Sequence, residues 1–138
     1  MTDLSRFSIS IEPSLLERLE SLVRKHKYAN RSEFVRDLLR ERLVEEEWQG
    51  NEEVVGTITL VYDHETRELS KKLTRLQHHH HDLVLASTHV HLDKHMCAEM
   101  VLTKGPATEI QEMATMLRQQ KGVLHASLSL SSTGKELG

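Results

Sequence analysis

Histidine is concentrated in one short part of this sequence. Seven of its ten histidines and its only cysteine lie within residues 78–97, between two apolar patterns. Neutral imidazole and thiolate are the ligands that divalent nickel, copper and zinc prefer. An expression tag would sit at a terminus, so this internal cluster predicts a metal site. The candidate ligands are His78, His79, His80, His81, His89, His91, His95 and Cys97.

Three of these ligands fit on a single hairpin. Residues 83–92 are predicted to form a strand, and side chains two residues apart on a strand point to the same side. His89 and His91 therefore face one point. Cys97 lies just past a turn on the next strand, and its side chain can approach that point from across the pair. The thiol would bind as thiolate, with its pKa lowered by the ion.

A fourth ligand must come from elsewhere. His78 precedes the predicted strand, whereas His89 lies six residues along it from Leu83. That separation is about 20 Å at roughly 3.3 Å per residue. If His78 or a neighbouring histidine binds the same ion, we therefore expect it to come from another subunit, which would couple metal binding to assembly. The ligand set leaves the metal open, because tetrahedral geometry favours zinc and square-planar geometry favours nickel(II) or copper(II).

The other polar groups near the cluster have weaker predicted roles. Glu99 lies two residues past Cys97 on the same strand face, and we expect it to hydrogen-bond a ligand imidazole. The alternative is the general base of a catalytic zinc site. Weak surface metal binding, or no role, is expected for the remaining histidines. These are His64, His79, His80, His81, His95 and His125.

The first fifty residues predict a strand followed by two helices. Residues 6–11 alternate between apolar and polar types, as in a strand. Pro13 suits the first turn of a helix. Asn30 is predicted to cap a second helix, with Glu33 in the capping-box position. The strand has no partner in this segment, so we expect it to pair with the same strand of a second copy.

The outer face of that two-stranded ribbon could bind DNA. Arg6, Ser8 and Ser10 would point outward, and such a ribbon fits the major groove. Free amides near Arg31 and Ser32, at the start of the second helix, form a natural phosphate clamp. The alternative is a dimerisation module with a polar outer face. Dimerisation alone does not require this outward pattern of arginine and serine, which favours DNA.

Two carboxylates lie on one face of the second helix. Glu33 and Asp37 are four residues apart, a mildly destabilising arrangement. One explanation is that Arg31, Arg36 or Arg40 neutralises the charge of these two carboxylates. A site for a hard cation with oxygen ligands is the other.

The remainder of the chain predicts a second domain. Its segments read strand, helix, strand, strand, helix, strand, which is the ferredoxin-like βαββαβ order of an α+β protein. The predicted elements are strands 54–62, 83–92, 96–103 and 123–130 and helices 65–77 and 108–120. We expect domains at residues 1–48 and 54–131, an acidic linker at 49–53 and a flexible tail at 132–138.

Composition excludes several classes of protein. The net charge of −3 argues against a broadly basic surface but leaves room for a local nucleic-acid patch. No apolar run approaches the roughly 18 residues of a membrane span, and no signal peptide pattern opens the chain. A single cysteine cannot form an internal disulfide, which suits a reducing cytoplasm. We therefore expect a cytoplasmic protein.

Two resemblances bring these patterns together. The strand–helix–helix pattern with residues 30–33 resembles the ribbon–helix–helix family of bacterial DNA-binding proteins. The chain as a whole, from Arg6 to about Leu130, resembles the nickel-responsive transcriptional repressors. This second resemblance depends on the same N-terminal pattern combined with the motif at residues 77–83, the pair His89 and His91, and Cys97. The domain of residues 54–131 would then be ACT-like and would mediate tetramerisation.

That resemblance implies a specific assembly and ligand set. It implies a homotetramer built as a dimer of dimers, binding one square-planar Ni(II) per subunit. The ion would be held by His89, His91 and Cys97 of one subunit and His78 of another. The partner would be double-stranded operator DNA of palindromic sequence, and the regulated genes would concern nickel uptake or nickel use.

Further roles follow only from the resemblance. A second cation such as K⁺ would lie between the domains, held by Glu33, Asp37 and carbonyls of the segment that includes Gln120 and Val123. Arg67 would contact DNA from the metal domain, although Thr66 departs from the family's basic pair and weakens this contact.

Three alternatives lie outside this reading. One is a sensor of copper or zinc, and another is a metal store or metallochaperone that would need no DNA-binding ribbon. The third is a zinc hydrolase, which would need an open coordination position. The sequence contains no obvious nucleophile motif, so we expect no enzyme activity.

Overall fold

The computed structural model describes residues 3–138, which divide into two compact units between residues 41 and 42. In the first unit, helix α1 (Pro13–Lys25) begins at the predicted proline. Helix α2 (Arg31–Gln49) begins after Asn30, whose Oδ1 accepts a hydrogen bond from the Glu33 amide at 2.9 Å. This bond confirms the predicted N-cap, since it satisfies an amide that the helix cannot pair internally.

Residues 3–12 form no strand within the described single chain. Their apolar side chains are open to solvent, with Phe7 76% and Ile9 62% exposed. A segment forms a strand only when its backbone is hydrogen-bonded to another strand, and the described chain offers residues 3–12 no such partner. The ribbon formed with a second copy therefore stays a prediction.

Helix α2 extends beyond the expected end of the first domain, through the acidic residues 45–47 to Gln49. Trp48 near its end is buried and packs with Val54, Ala107 and Ile110 of the second unit. Its indole Nε1 donates a hydrogen bond to the Ser131 carbonyl at 2.8 Å. The end of α2 is thus held by an aromatic anchor directly before the expected linker at residues 49–53, while the domain limits themselves stay predictions.

The second unit contains four strands and two further helices. They are β1 (Glu53–Asp63), α3 (Leu69–His79), β2 (Val84–His91), β3 (Met96–Pro106), α4 (Ala107–Arg118) and β4 (Val123–Leu130). They follow the predicted βαββαβ order, so the α+β fold is confirmed. The strands form an antiparallel sheet in the order β2-β3-β1-β4. Alternate residues of β1 are buried, as expected for a sheet covered on one face, and that face packs against apolar side chains of α3 and α4.

Helix α3 begins four residues later than the sequence predicted. The Asp63 side chain accepts a hydrogen bond from the Glu65 amide at 2.9 Å, and its carbonyl accepts one from Thr66 at 3.0 Å. Glu68 then adopts a left-handed conformation with φ of 66°. These features make residues 63–68 a turn, because both the bonding and the dihedral angle are incompatible with a continuous helix.

Gly122, at φ of 104°, lies against this turn. A Cβ at that position would stand 2.9 Å from side-chain atoms of both Thr66 and Leu69. Glycine is therefore required for the conformation and for the close approach. No helix among residues 3–138 is long and apolar enough to cross a membrane.

Candidate functional site

The hairpin of β2 and β3 brings His89, His91 and Cys97 to one end of the sheet. His91 is paired with Cys97 and His89 with Glu99 in the antiparallel register. Paired residues of such strands share a face, and the rings of His89 and His91 have centroids 5.3 Å apart. The hairpin thus places two imidazoles and a thiol at neighbouring positions, and ligands of these types suit a borderline-soft divalent ion. Their donor atoms do not all lie within 4.8 Å of one another in the described chain, so their joint binding of a metal stays a prediction.

The thiol and the imidazoles lie in different environments. Cys97 is fully buried and its Sγ donates a hydrogen bond to the Tyr62 carbonyl at 3.4 Å, whereas both histidines are exposed. Burial raises the pKa of the Cys97 thiol above its ordinary value. Binding of a metal at this sulfur must therefore displace a proton.

His78 lies apart from this group. It is exposed in the last turn of α3, before β2 begins, whereas His89 and His91 are at the far end of that strand. The described chain does not bring donor atoms of His78, His89, His91 and Cys97 within 4.8 Å of one another. The supply of His78 by another subunit stays a prediction.

Glu99 is held by partners that the sequence did not indicate. It is 6% exposed, and its Oε1 accepts a hydrogen bond from the Tyr62 hydroxyl at 3.2 Å. Its Oε2 accepts one from the Gln77 amide group. Bonds to an imidazole were expected instead. Both carboxylate oxygens are engaged, which does not suit a general base.

This carboxylate joins the two halves of the predicted metal site. Gln77 immediately precedes His78 on α3, while Glu99 is the cross-strand partner of His89. The Tyr62 ring lies 6.1 Å from the His89 ring. Burial, followed by the nearby Glu99 charge, raises the pKa of Tyr62, which keeps its hydroxyl a hydrogen-bond donor. The only sequence signals for these roles were that Gln77 adjoins the histidine run and that Tyr62 ends a strand.

The residues predicted to contact DNA are all exposed. Arg6, Ser8 and Ser10 lie in the extended N-terminal segment, and Ser32 is in the first turn of α2. Beside Ser32, Arg31 makes an ion pair of 3.8 Å with Glu20, whose side chain is also well exposed. Arg67 lies in the turn before α3, in the second unit. Their contacts with DNA stay predictions.

One carboxylate of the pair on α2, that of Asp37, already has partners. The Tyr28 hydroxyl donates to Asp37 at 2.7 Å, and this bond, with the adjacent charge, raises the pKa of Tyr28. Arg40 forms an ion pair with Asp37 at 3.4 Å. Neutralisation by an arginine, one of the two explanations offered above, therefore does occur for Asp37.

The other predicted ligands of the second cation are in the other unit. The Gln120 side chain donates to the Met116 carbonyl at 3.0 Å, and the Gln120 carbonyl accepts a bond from the Val123 amide at 3.1 Å. The cation site formed with Glu33 and Asp37 stays a prediction.

Comparison with known families agrees with both halves of the chain. Residues 5–46 match the family model described as ribbon-helix-helix protein, copG family. Residues 55–131 match the model described as NikR C terminal nickel binding domain. These matches define a class of protein in which a DNA-binding module is joined to a nickel-binding one.

Full-length relatives identify the family. A protein of Geobacter sulfurreducens is 49% identical over 138 residues, covering 99% of each chain. One of Pyrococcus abyssi is 47% identical over 136 residues, covering 98% of this chain and 99% of the relative. Both are named as candidate nickel-responsive regulators. The chain belongs to the family of nickel-responsive transcriptional regulators.

A solved structure shows the fold alone. It is an uncharacterized protein from Thermotoga maritima with a TM-score of 0.52 and 16% sequence identity. The alignment covers 57% of this chain and 98% of that one. No statement about the function of this chain rests on it.

Proposed function

We propose that this chain is a nickel-dependent DNA-binding repressor of genes for nickel uptake or nickel use. The observation that carries the proposal is the placement of His89, His91 and Cys97 at one end of a single hairpin. One Ni(II) per subunit would be held there, with His78 contributed by another subunit. The thiolate supplies the soft ligand that separates such a site from a site for magnesium or calcium.

The hydrogen-bond network around Glu99 supports a link between the metal ligands and the fold. Gln77 and Tyr62 hold this buried carboxylate from α3 and β1. Because Gln77 adjoins His78, the network links the strand that carries Cys97 to the end of α3, which would present His78 to a neighbouring subunit. Ordering of this end upon nickel binding would restrict the relative placement of subunits.

The N-terminal segment supports binding to DNA as a dimer. Two copies of the exposed residues 3–12 would pair as a ribbon that covers Phe7 and Ile9. Arg6, Ser8 and Ser10 would then face the major groove. Two such dimers flanking a core of four metal domains make a homotetramer. A palindromic operator with two half-sites would match this symmetry, and engagement of both raises apparent affinity.

Two further parts of the proposal concern the cation and the compartment. A second cation such as K⁺ would bind Glu33, Asp37 and the carbonyls of Gln120 and Val123, in exchange for the ion pair with Arg40. The single cysteine and the need to reach DNA favour the cytoplasm.

A DNA-mobility assay tests the function. We expect nickel to raise affinity for operator DNA by about 5- to 150-fold, the usual range of allosteric coupling. The Cys97→Ala variant should lose this gain, while His125→Ala, which removes an exposed imidazole on β4, should keep it.

The same assay separates the alternatives. A copper or zinc sensor would show the shift with its own metal and not with nickel. A metal store would bind metal without any metal-dependent shift. Retention of the nickel response in Cys97→Ala would show that the ligand assignment is wrong.

A further inference from the structure

A second group of metal-ligating side chains lies beside the hairpin turn. Asp63, Glu65 and His95 each offer one donor atom, and these atoms all lie within 4.8 Å of one another. Among the described residues, this is the one group of three or more histidine, cysteine, aspartate or glutamate side chains whose donor atoms lie that close together. Neither the ligands of the proposed nickel site nor those of the proposed second cation site belong to it.

The backbone holds these three residues together without help from a ligand. Asp63 at the end of β1 is paired with Met96 at the start of β3. The His64 amide donates to the His95 carbonyl at 3.0 Å. Asp63 Oδ1 accepts a bond from the Glu65 amide, and the Glu65 carboxylate in turn contacts His95 Nδ1. The ligand-bearing segments are therefore already in place before a cation binds.

The chemistry of the group suits a cation better than it suits an ion pair alone. His95 Nδ1 lies 3.1 Å from Glu65 Oε2, with the two side chains 53% and 58% exposed. An exposed pair of this kind contributes little. The carboxylates of Asp63 and Glu65 also lie close together, and their like charges repel each other. A divalent cation would neutralise both and bind the imidazole.

We propose that Asp63, Glu65 and His95 form a second divalent-metal site with mixed oxygen and nitrogen ligands. Nickel(II) and neighbouring first-row ions accept this ligand set, and water completes the coordination on the open side. With three ligands and no thiolate, it binds more weakly than the site containing Cys97.

Occupancy of this site would affect the two segments it joins. It would tie the turn of residues 63–68, which carries Arg67, to the loop of residues 92–95 between the strands. His64 contacts the primary site as well, since its ring packs edge-on against His91 with centroids 4.8 Å apart. The second site does not depend on the proposed function, and it can be tested without DNA.

Calorimetric titration of the full chain with Ni(II) tests the inference, with absorbance recorded in parallel. The first equivalent should produce the charge-transfer band of a thiolate–nickel bond, whereas the next-tightest event should not. Glu65→Gln and His95→Ala should each weaken that second event by at least about tenfold, as for loss of a group that holds a metal. Both substitutions are at exposed positions, and circular dichroism checks that the fold is kept.

His81→Ala is the matched control. His81 and Asp82 form another exposed histidine–carboxylate pair at 3.1 Å, but they do not belong to the group of three ligands. This variant should keep both events. The inference is overturned if the wild-type chain shows no second event, or if that event persists in Glu65→Gln and His95→Ala. It is also overturned if His81→Ala removes it. Absence of the thiolate band would contradict the proposed nickel site instead, so the two failures are distinguishable.

Discussion

At the scale of single residues, the burial of a carboxylate beside the metal ligands is the main finding. Glu99 is almost inaccessible, and hydrogen bonds from Tyr62 and Gln77 offset the cost of removing its charge from water. Neither bond joins sequence neighbours, so the pattern of residue types gave no reason to expect them. The sequence predicted that Glu99 would bond a ligand imidazole, whereas in the described chain its partners are Tyr62 and Gln77.

Replacement of Gln77 tests this network. Gln77→Leu would leave one oxygen of the buried carboxylate without its donor, and we expect the free energy of unfolding to fall by about 1–3 kcal/mol. Nickel affinity should also fall by about 10- to 100-fold, the range seen when groups that orient metal ligands are lost. Urea denaturation of the metal-free protein and nickel titration measure the two effects.

Arg75→Leu provides the control for Gln77→Leu. It introduces the same side chain in α3, at an exposed position. Unfolding free energy and nickel affinity close to those of the wild type are expected. Equal losses in both variants would mean that leucine disturbs the helix generally and that the bond to Glu99 has no special role.

At the scale of elements, boundaries depended on particular contacts. Helix α2 runs through the acidic residues 45–47 to Gln49, the first residue of the expected linker, and Trp48 near its end is buried in a core cluster of the second unit. Helix α3 was expected to begin at Glu65, yet side-chain and backbone bonds to Asp63 hold the preceding residues in a turn. In both cases helical propensity was a weak guide. Contacts distant in sequence hold the end of α2, whereas a local turn at Asp63 delays the start of α3.

Trp48 should anchor the end of α2, which belongs to the second unit, in the core of that unit. Trp48→Ala should lower the free energy of unfolding of that unit by about 3–5 kcal/mol, since it leaves a large cavity. Trp48→Phe keeps an aromatic ring but loses the bond to the Ser131 carbonyl, so a smaller loss of about 1 kcal/mol or slightly more is expected. Far-UV circular dichroism during urea denaturation measures both. Equal stability of Trp48→Ala and the wild type would show that α2 is not anchored there.

At the scale of the whole molecule, single-chain geometry leaves two features that a second copy would complete. The apolar residues of the N-terminal segment are exposed. His78 lies before the start of β2, whereas His89 and His91 lie near its end. Paired strands would bury the first, and a ligand from a neighbouring subunit would complete the second.

Mixing two defective variants tests whether the metal site spans subunits. His78→Ala and Cys97→Ala should each bind nickel weakly as pure proteins. When the two variants are unfolded and refolded together, a His78→Ala subunit can supply the thiolate of a site, and a Cys97→Ala subunit can supply its His78. Equal mixing should restore about a quarter of the sites by random assortment, if each site uses two subunits.

Titration of the mixture against the unmixed variants measures that recovery. Wild-type protein refolded in the same way controls for losses during the procedure. No recovery beyond the average of the two pure variants would mean that all four ligands act within one chain, contrary to the proposal.

The sequence by itself determined the order of the elements and the positions of the candidate metal ligands on the hairpin. Alternation with a period of two placed His89 and His91 on one face, and the short turn placed Cys97 across from them. These are local consequences of strand geometry, so no knowledge of distant contacts was needed. The N-cap at Asn30 is local in the same way.

Only the tertiary structure decided what surrounds those ligands. The partners of Glu99, the anchor at Trp48 and the group of Asp63, Glu65 and His95 each join segments far apart in the sequence. Their meeting depends on strand register and on how the helices pack on the sheet. A pattern of residue types carries no such distances, so these contacts became visible only when the chain was folded.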